Sequence, residues 1–188
     1  MRRLSIAFSL YLVCSMTNAK VWVEQRTEYY DIAPSSVADI KQQLREHSPV
    51  TQNEQIFHGN TQWTVEPMFQ LYRANGLCRI MHVNVRLLTV FTLPRLANED
   101  EADDDIISTF TTYVNALTEH EQGHHEFGKQ AAEAVAKRLT ALVPHYQCEQ
   151  LAKNAQQEAA AIIERFSDAN KAYDATTGHG RTQGAVIR

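Results

Sequence analysis

His120-Glu121-Gln122-Gly123-His124 reads H-E-x-x-H and lies inside a long stretch whose apolar residues recur at helical spacing. On a helix turning ~100° per residue, histidines four apart sit about 40° from each other. Both imidazoles can therefore reach one metal ion from one face. Glu121 can lean toward a water on the ion's open side. Zinc hydrolases are built this way, with two His ligands, a third ligand from elsewhere and a carboxylate as general base.

The flanking pattern separates this reading from a merely solvated His- and Glu-rich face. Phe110, Val114, Leu117, Ala131, Val135 and Leu142 mark an apolar stripe. Carried through the middle, the stripe passes over Glu121, His124 and Gly128, with His120 beside it. Polar groups on a buried face are costly unless satisfied, and a bound metal would satisfy them. His125 lies about 140° from His120 and is expected to face solvent or the cleft rim.

Outward from the motif, the chain begins as an exported protein does. Met1-Arg2-Arg3 is basic, residues 4–13 are a short apolar run, and Thr17-Asn18-Ala19 supplies small residues before Lys20. This reads as a signal peptide cleaved after Ala19, too short to span a membrane as a stable helix. Cys14 lacks the small neighbours of a lipoprotein site. Residues 20–188 then form a single domain large enough to bury a core. With 18 Lys and Arg against 22 Asp and Glu the formal charge is −4, and it becomes −6 once Arg2 and Arg3 leave. No basic patch stands out, which argues against nucleic acid as a partner. Cys78 and Cys148 remain after cleavage and are expected to form one disulfide in an oxidising compartment. They lack the C-x-x-C spacing of a metal site.

Residues 21–32, rich in β-branched and aromatic side chains, predict a strand. Pro34-Ser35-Ser36 opens a short helix to about residue 45, capped by Ser35 or Ser36. Residues 62–72 predict a strand that Pro67 confines to an edge or a bulge. Ala74-Asn75-Gly76 is a hairpin turn. The strand over 77–93 should place Met81, Val83, Val85 and Leu87 on one side, with His82 on the other as a cross-strand partner. Six acidic residues between 98 and 105 suit the start of a helix better than a calcium loop. Helices are predicted over 106–142, stopped by Pro144, and over 147–170. From residue 173 the glycines and weak apolar periodicity predict a polar tail. The fold class is α+β: a small antiparallel sheet packed on the H-E-x-x-H helix and a second, C-terminal helix.

The third ligand has two sources. One is a carboxylate of the second helix: Glu149, Glu158 or Glu164. The other is the segment around Tyr173, Asp174 and His179, where Gly178 and Gly180 would let the backbone turn sharply.

Several elements together resemble the DUF922 family, a domain of unknown function described as secreted bacterial zinc-dependent proteases, with no known substrate. They are Trp63-Thr64-Val65, Cys78, Thr92-Leu93-Pro94, the H-E-x-x-H motif, Cys148, Tyr173-Asp174, Thr177, His179-Gly180 and Gln183-Gly184. The resemblance covers nearly all of 20–188 and implies a secreted zincin-like domain. It makes His179 the first candidate for third ligand, so that the tail must fold back over the motif. Asp174 is second, as a ligand or as the acceptor orienting a histidine. Tyr173 is a candidate to stabilise an oxyanion, or else a packing aromatic. The expected function is Zn2+-dependent hydrolysis of a peptide or protein substrate with Glu121 as base. The alternatives are a non-catalytic zinc-binding envelope protein or adaptor, and a hydrolase of non-peptide amides such as cell-wall material.

Overall fold

The computed structural model describes residues 19–187; the expected signal peptide lies outside the described residues, apart from Ala19. Strand β1 (Lys20–Ile32) leads through a 3-10 turn into helix α1 (Ile40–His47). The expected cap is present: Ser36 Oγ accepts from the Asp39 amide at 3.3 Å, and Ser35 donates its amide and hydroxyl to the Asp39 carboxylate. A small hairpin, β2 (Val50–Gln52) with β3 (Gln55–Phe57), precedes the long strands β4 (Asn60–Ala74) and β5 (Leu77–Leu96). Asn75 and Gly76 join those strands at φ 50° and 77°. Two positive φ values make the tight turn that matches the twist of a hairpin. Helices α2 (Asp104–Thr140) and α3 (Cys148–Thr177) complete the chain, followed by a 3-10 turn over Arg181–Gln183.

The main sheet has strand order β1-β5-β4. It corrects the expected antiparallel sheet, because β1 runs parallel to β5, from Lys20 opposite Asn84 to Ile32 opposite Leu96. Alternation along a strand reports which face is buried and carries no direction. Here α1, the small hairpin and β4 intervene between β1 and β5, so β1 returns to the far edge as a parallel neighbour. Pro67 lies on edge strand β4, next to a bulge between Met68 and Gln70. Opposite that bulge His82 adopts φ 51° and is exposed. The extra residue changes the facing of β5: Cys78 and Ile80 are buried before it, and Val83, Val85 and Leu87 after it. His82 is thus a bulge residue, not a cross-strand partner, and Met81 falls off the buried face.

One face of this sheet packs on α2, and α3 covers α2 from the other side. The outer face of the sheet is solvated and carries Arg86 between Glu24 and Glu66. Two apolar clusters result. The first joins Val83, Val85 and Leu87 to Val135, Leu139 and Leu151. The second joins Ile40 and Leu44 to Phe91, Phe110, Leu117 and Ile187. Helix α2 passes through both, and the H-E-x-x-H turn lies where one gives way to the other. Cys78 and Cys148 form the expected disulfide, with Cα atoms 5.2 Å apart, tying the start of β5 to the start of α3.

The chain after residue 170 differs most from expectation. Helix α3 continues to Thr177, so Tyr173 and Asp174 are helical and not part of a tail. It ends at Gly178, whose φ of 58° suits the left-handed cap that glycine adopts without strain. The remaining residues fold back, and Ile187 is only 6% exposed within the second cluster.

Candidate metal centre

The two motif histidines meet the last turns of α3. His120 Nε2 and His124 Nε2 are 3.2 Å apart, and each lies 3.1 Å from the same oxygen, Asp174 Oδ1. One ion can be spanned by His120, His124 and Asp174, whose donor atoms all lie within 4.8 Å of one another. The histidines are 2% and 5% exposed. Helix spacing on both sides makes the meeting possible: 120 and 124 share one face of α2, while 170, 173, 174 and 177 share one face of α3.

The far nitrogens of the two rings define what the near ones can do. Trp63 Nε1, a pure donor, lies 3.3 Å from Asn170 Oδ1 and identifies that atom as the acceptor of the amide. Asn170 Oδ1 in turn lies 2.8 Å from His124 Nδ1, which must therefore carry the proton. Gln183 Oε1, 2.9 Å from His120 Nδ1, does the same for the other ring. In the neutral tautomers so selected, both Nε2 atoms offer lone pairs toward a carboxylate oxygen. Three acceptors facing one point can hold a cation. This donor set fits zinc, and it has the supporting shell that metal-bound imidazoles use. Without a metal a proton must fill the point. Burial lowers the His124 pKa, but hydrogen bonds to Asp174 and Asn170 outweigh it and raise the value. Burial likewise pushes Asp174 up, yet the hydrogen bonds from His120 and His124 hold it well below the usual carboxylate range.

Glu121 faces the same space without belonging to the donor group. Its Oε2 accepts from Thr61 Oγ1 at 2.7 Å, and Thr61 also donates to the Glu121 carbonyl at 3.1 Å. Burial raises its pKa; the Thr61 hydrogen bond and the nearby histidines act against that rise. A Cβ at Gly59 would fall 2.6 Å from Glu121 Oε1, so only glycine lets the β3–β4 connection approach this closely. The group opens into a cleft of about 620 Å³, lined in part by His58, Glu121, Asp174 and His179. That volume is within the ~300–1,000 Å³ range of small-molecule sites.

His179, the first candidate for third ligand, is instead a neighbour of Asp174. Its Nδ1 lies 3.2 Å from Asp174 Oδ1, its side chain is half exposed, and its ring packs 4.6 Å from Phe57. It follows the cap glycine at φ 54°, which carries it around the mouth of the site and not into the donor group. Asp174 takes the position closest to both motif histidines. The helix glutamates stand elsewhere: Glu158 pairs with Arg138 at 2.6 Å, and Glu149 and Glu164 are exposed.

Tyr173 is also placed differently from an oxyanion donor. It stacks on His120 with centroids 5.0 Å apart and planes 15° apart, and its hydroxyl exchanges hydrogen bonds with Gln183. It is a wall behind the histidines, not a lining residue of the cleft. His125 corrects the expectation of a solvent or rim position. It is 4% exposed, with Thr89 Oγ1 2.9 Å from its Nδ1 and Gln25 Nε2 2.7 Å from its Nε2. Because α2 is covered by the sheet on one side and α3 on the other, a residue 140° from His120 is buried too. Thr61, His58, Asn170 and Gln183 carry no recognisable motif by themselves. Of these, only Gln183 belonged to the group of elements that carried the family resemblance.

No curated protein and no solved structure matches the chain. A family model described as a bacterial protein of unknown function (DUF922) matches residues 27–180, and the chain belongs to that family.

Proposed function

We propose that this protein is a secreted zinc-dependent hydrolase acting on peptide bonds, with His120, His124 and Asp174 as the metal ligands. The observation that carries the reading is the convergence of two imidazole Nε2 atoms and one carboxylate oxygen in a cleft, with a fourth group, Glu121, beside them. Zinc bound there would supply Lewis-acid chemistry, acidifying a water and polarising the scissile carbonyl. The remaining work belongs to the chain. Glu121 takes a proton from the attacking water and delivers it to the departing amine as the C–N bond breaks. Thr61 holds the carboxylate in place. Asn170 and Gln183 keep the histidine Nε2 atoms unprotonated. The Cys78–Cys148 disulfide suits an oxidising compartment, in keeping with cleavage of a signal peptide after Ala19. Among the described residues no helix is long and apolar enough to cross a membrane.

Elemental analysis of protein refilled with zinc tests the site, and Glu121→Gln tests the chemistry. The expected result is about one zinc per chain in both proteins, with kcat/KM on a cleaved peptide lower by about 10²–10⁴-fold in the variant. Absence of metal in the wild type overturns the site. Full activity in the variant, or loss of its zinc, overturns the role of Glu121.

A further inference from the structure

The charges around the cleft run against those of the chain. The sequence has more acidic than basic residues. Yet apart from Glu121 and Asp174, every Asp, Glu, Lys and Arg side chain lining the cleft is a cation: Lys41, Arg45, Lys171 and Arg181. They stand on both walls. Lys41 and Arg45 are four apart on α1, so they share one face. Ile40 and Leu44, each 0% exposed, anchor that helix in the core and hold the basic face at the cleft. Lys171 and Arg181 belong to α3 and the turn after it. Lys171 has a partner, Asp168, at 3.1 Å, while Lys41, Arg45 and Arg181 pair with no carboxylate among the described residues. The field of Arg45 reaches into the cleft, where it helps to lower the pKa of His58, though burial is the larger cause. Between the walls the apolar side chains of Phe57, Leu117 and Ile187 line the cleft beside the polar ones of Gln52, Asn60 and Thr61.

From this arrangement we infer that the cleft selects acidic polypeptide segments, with carboxylate side chains flanking an apolar residue at the scissile bond. The inference rests on the hydrolase reading for what happens to the bound segment, but not for the binding itself. Exposed cations contribute modestly one by one. Three unpaired cations of one sign, with Lys171 beside them, act together at a concave, low-dielectric site, raising the rate of encounter and disfavouring basic segments. The carboxylates of the substrate would lie beside the metal centre, not on it, because Asp174 already supplies the anionic ligand.

Binding to the zinc-loaded Glu121→Gln protein separates selection from catalysis. Three peptides of equal length carry a central Leu flanked by Glu, Ser or Lys, and binding is followed by calorimetry at low and high salt. The Glu peptide should bind about tenfold tighter than the Ser peptide, the Lys peptide weakest, and the difference should shrink at high salt as the charges are screened. Lys41→Glu/Arg45→Glu should abolish or invert the order, and Lys171→Glu/Arg181→Glu provides the same test on the opposite wall. All four residues are exposed, and thermal melts confirm that the variants fold. Equal binding of the three peptides, tighter binding of the Lys peptide, or no binding of any overturns the inference even if the wild type cleaves peptides. Selective binding of the Glu peptide without cleavage by the wild type leaves the inference standing and removes the hydrolase reading. Selective capture of anionic cell-wall stem peptides in place of the Glu peptide overturns the assignment to polypeptide.

Discussion

A Cβ placed on Gly123, the fourth residue of the H-E-x-x-H motif, would fall 2.2 Å from the Tyr173 hydroxyl. The position is therefore closed to any side chain while Tyr173 stays stacked on His120. Gly123→Ala should cost about 1–3 kcal/mol as an overpacked site and weaken zinc binding by moving the ring that fixes His120. Calorimetry and competition with a chromogenic chelator measure both; a variant equal to wild type in both would show that Tyr173 does not constrain the histidine. His58 offers a second test at this scale. Burial, assisted by Arg45, lowers its pKa below 6.5. The unfolded chain thus takes up this proton first as pH falls. The associated stability is complete above about 6.5 and is lost as pH falls through the depressed value, by at most about 1.4 kcal/mol per pH unit. His58→Gln should lose less stability between neutral and mildly acidic pH than the wild type, as read by denaturant melts. An equal loss in the two proteins would remove His58 as the cause. Neither residue's role was visible in the sequence. The motif histidines and Glu121 could be found because spacing on one helix brings them together. Thr61, Asn170 and Gln183 act only through tertiary approach, which no local spacing records.

At the scale of elements, the end of α3 shows why a helix can read as a tail. Its apolar stripe of Leu151, Ala155, Ala159, Ile162 and Phe166 gives way to Asn170, Tyr173, Asp174 and Thr177. Those four positions keep the helical period of the buried face, but Asn170, Tyr173 and Asp174 meet the motif histidines and Thr177 accepts from the Gly180 amide beyond the helix, so hydropathy loses the signal while geometry retains it. The same substitution of polar for apolar residues made Asp174 look like loop chemistry and drew attention to His179. Beyond Gly178 the chain returns for two reasons that can be cut separately: Gln183 accepts from His120, and Ile187 is buried in the second cluster. Gln183→Ala should reduce zinc affinity about 10–100-fold, the usual effect of losing an outer partner of a ligand, with little change in the melting temperature of the metal-free protein. Ile187→Ala should do the reverse, costing about 2–5 kcal/mol as a core truncation with a smaller effect on zinc. Metal titration and metal-free melts separate them; indistinguishable effects would show that the tail acts as a single unit. The direction of β1 belongs to this scale as well, since the alternation that defined the strand is identical for parallel and antiparallel neighbours.

Across the whole molecule, two constraints hold α2 between the sheet and α3, one at each end of its second half. The disulfide joins β5 to α3 just beyond the C-terminus of α2, and the His120, His124 and Asp174 group joins α2 to the last turns of α3. From His124 to Thr140 the helix rises about 24 Å at ~1.5 Å per residue. Constraints that far apart, with no residue in common, should contribute additively to stability. The disulfide closes a loop with a sequence separation of 70, for which restriction of the unfolded chain gives about 4 kcal/mol. For a domain of this size that corresponds to a fall of about 8–16 °C in melting temperature on reduction. Zinc at a hundred times its dissociation constant should add about 2.7 kcal/mol by mass action. Four melts, with and without reductant and with and without zinc, form a complete cycle, using a phosphine reductant that does not compete for the metal. The zinc increment should be the same within about 0.5 kcal/mol in the oxidised and reduced proteins. An increment that disappears on reduction would mean that the disulfide, and not the packing of α2 against α3, positions Asp174 opposite the two histidines. Metal binding would then depend on the oxidation state of Cys78 and Cys148.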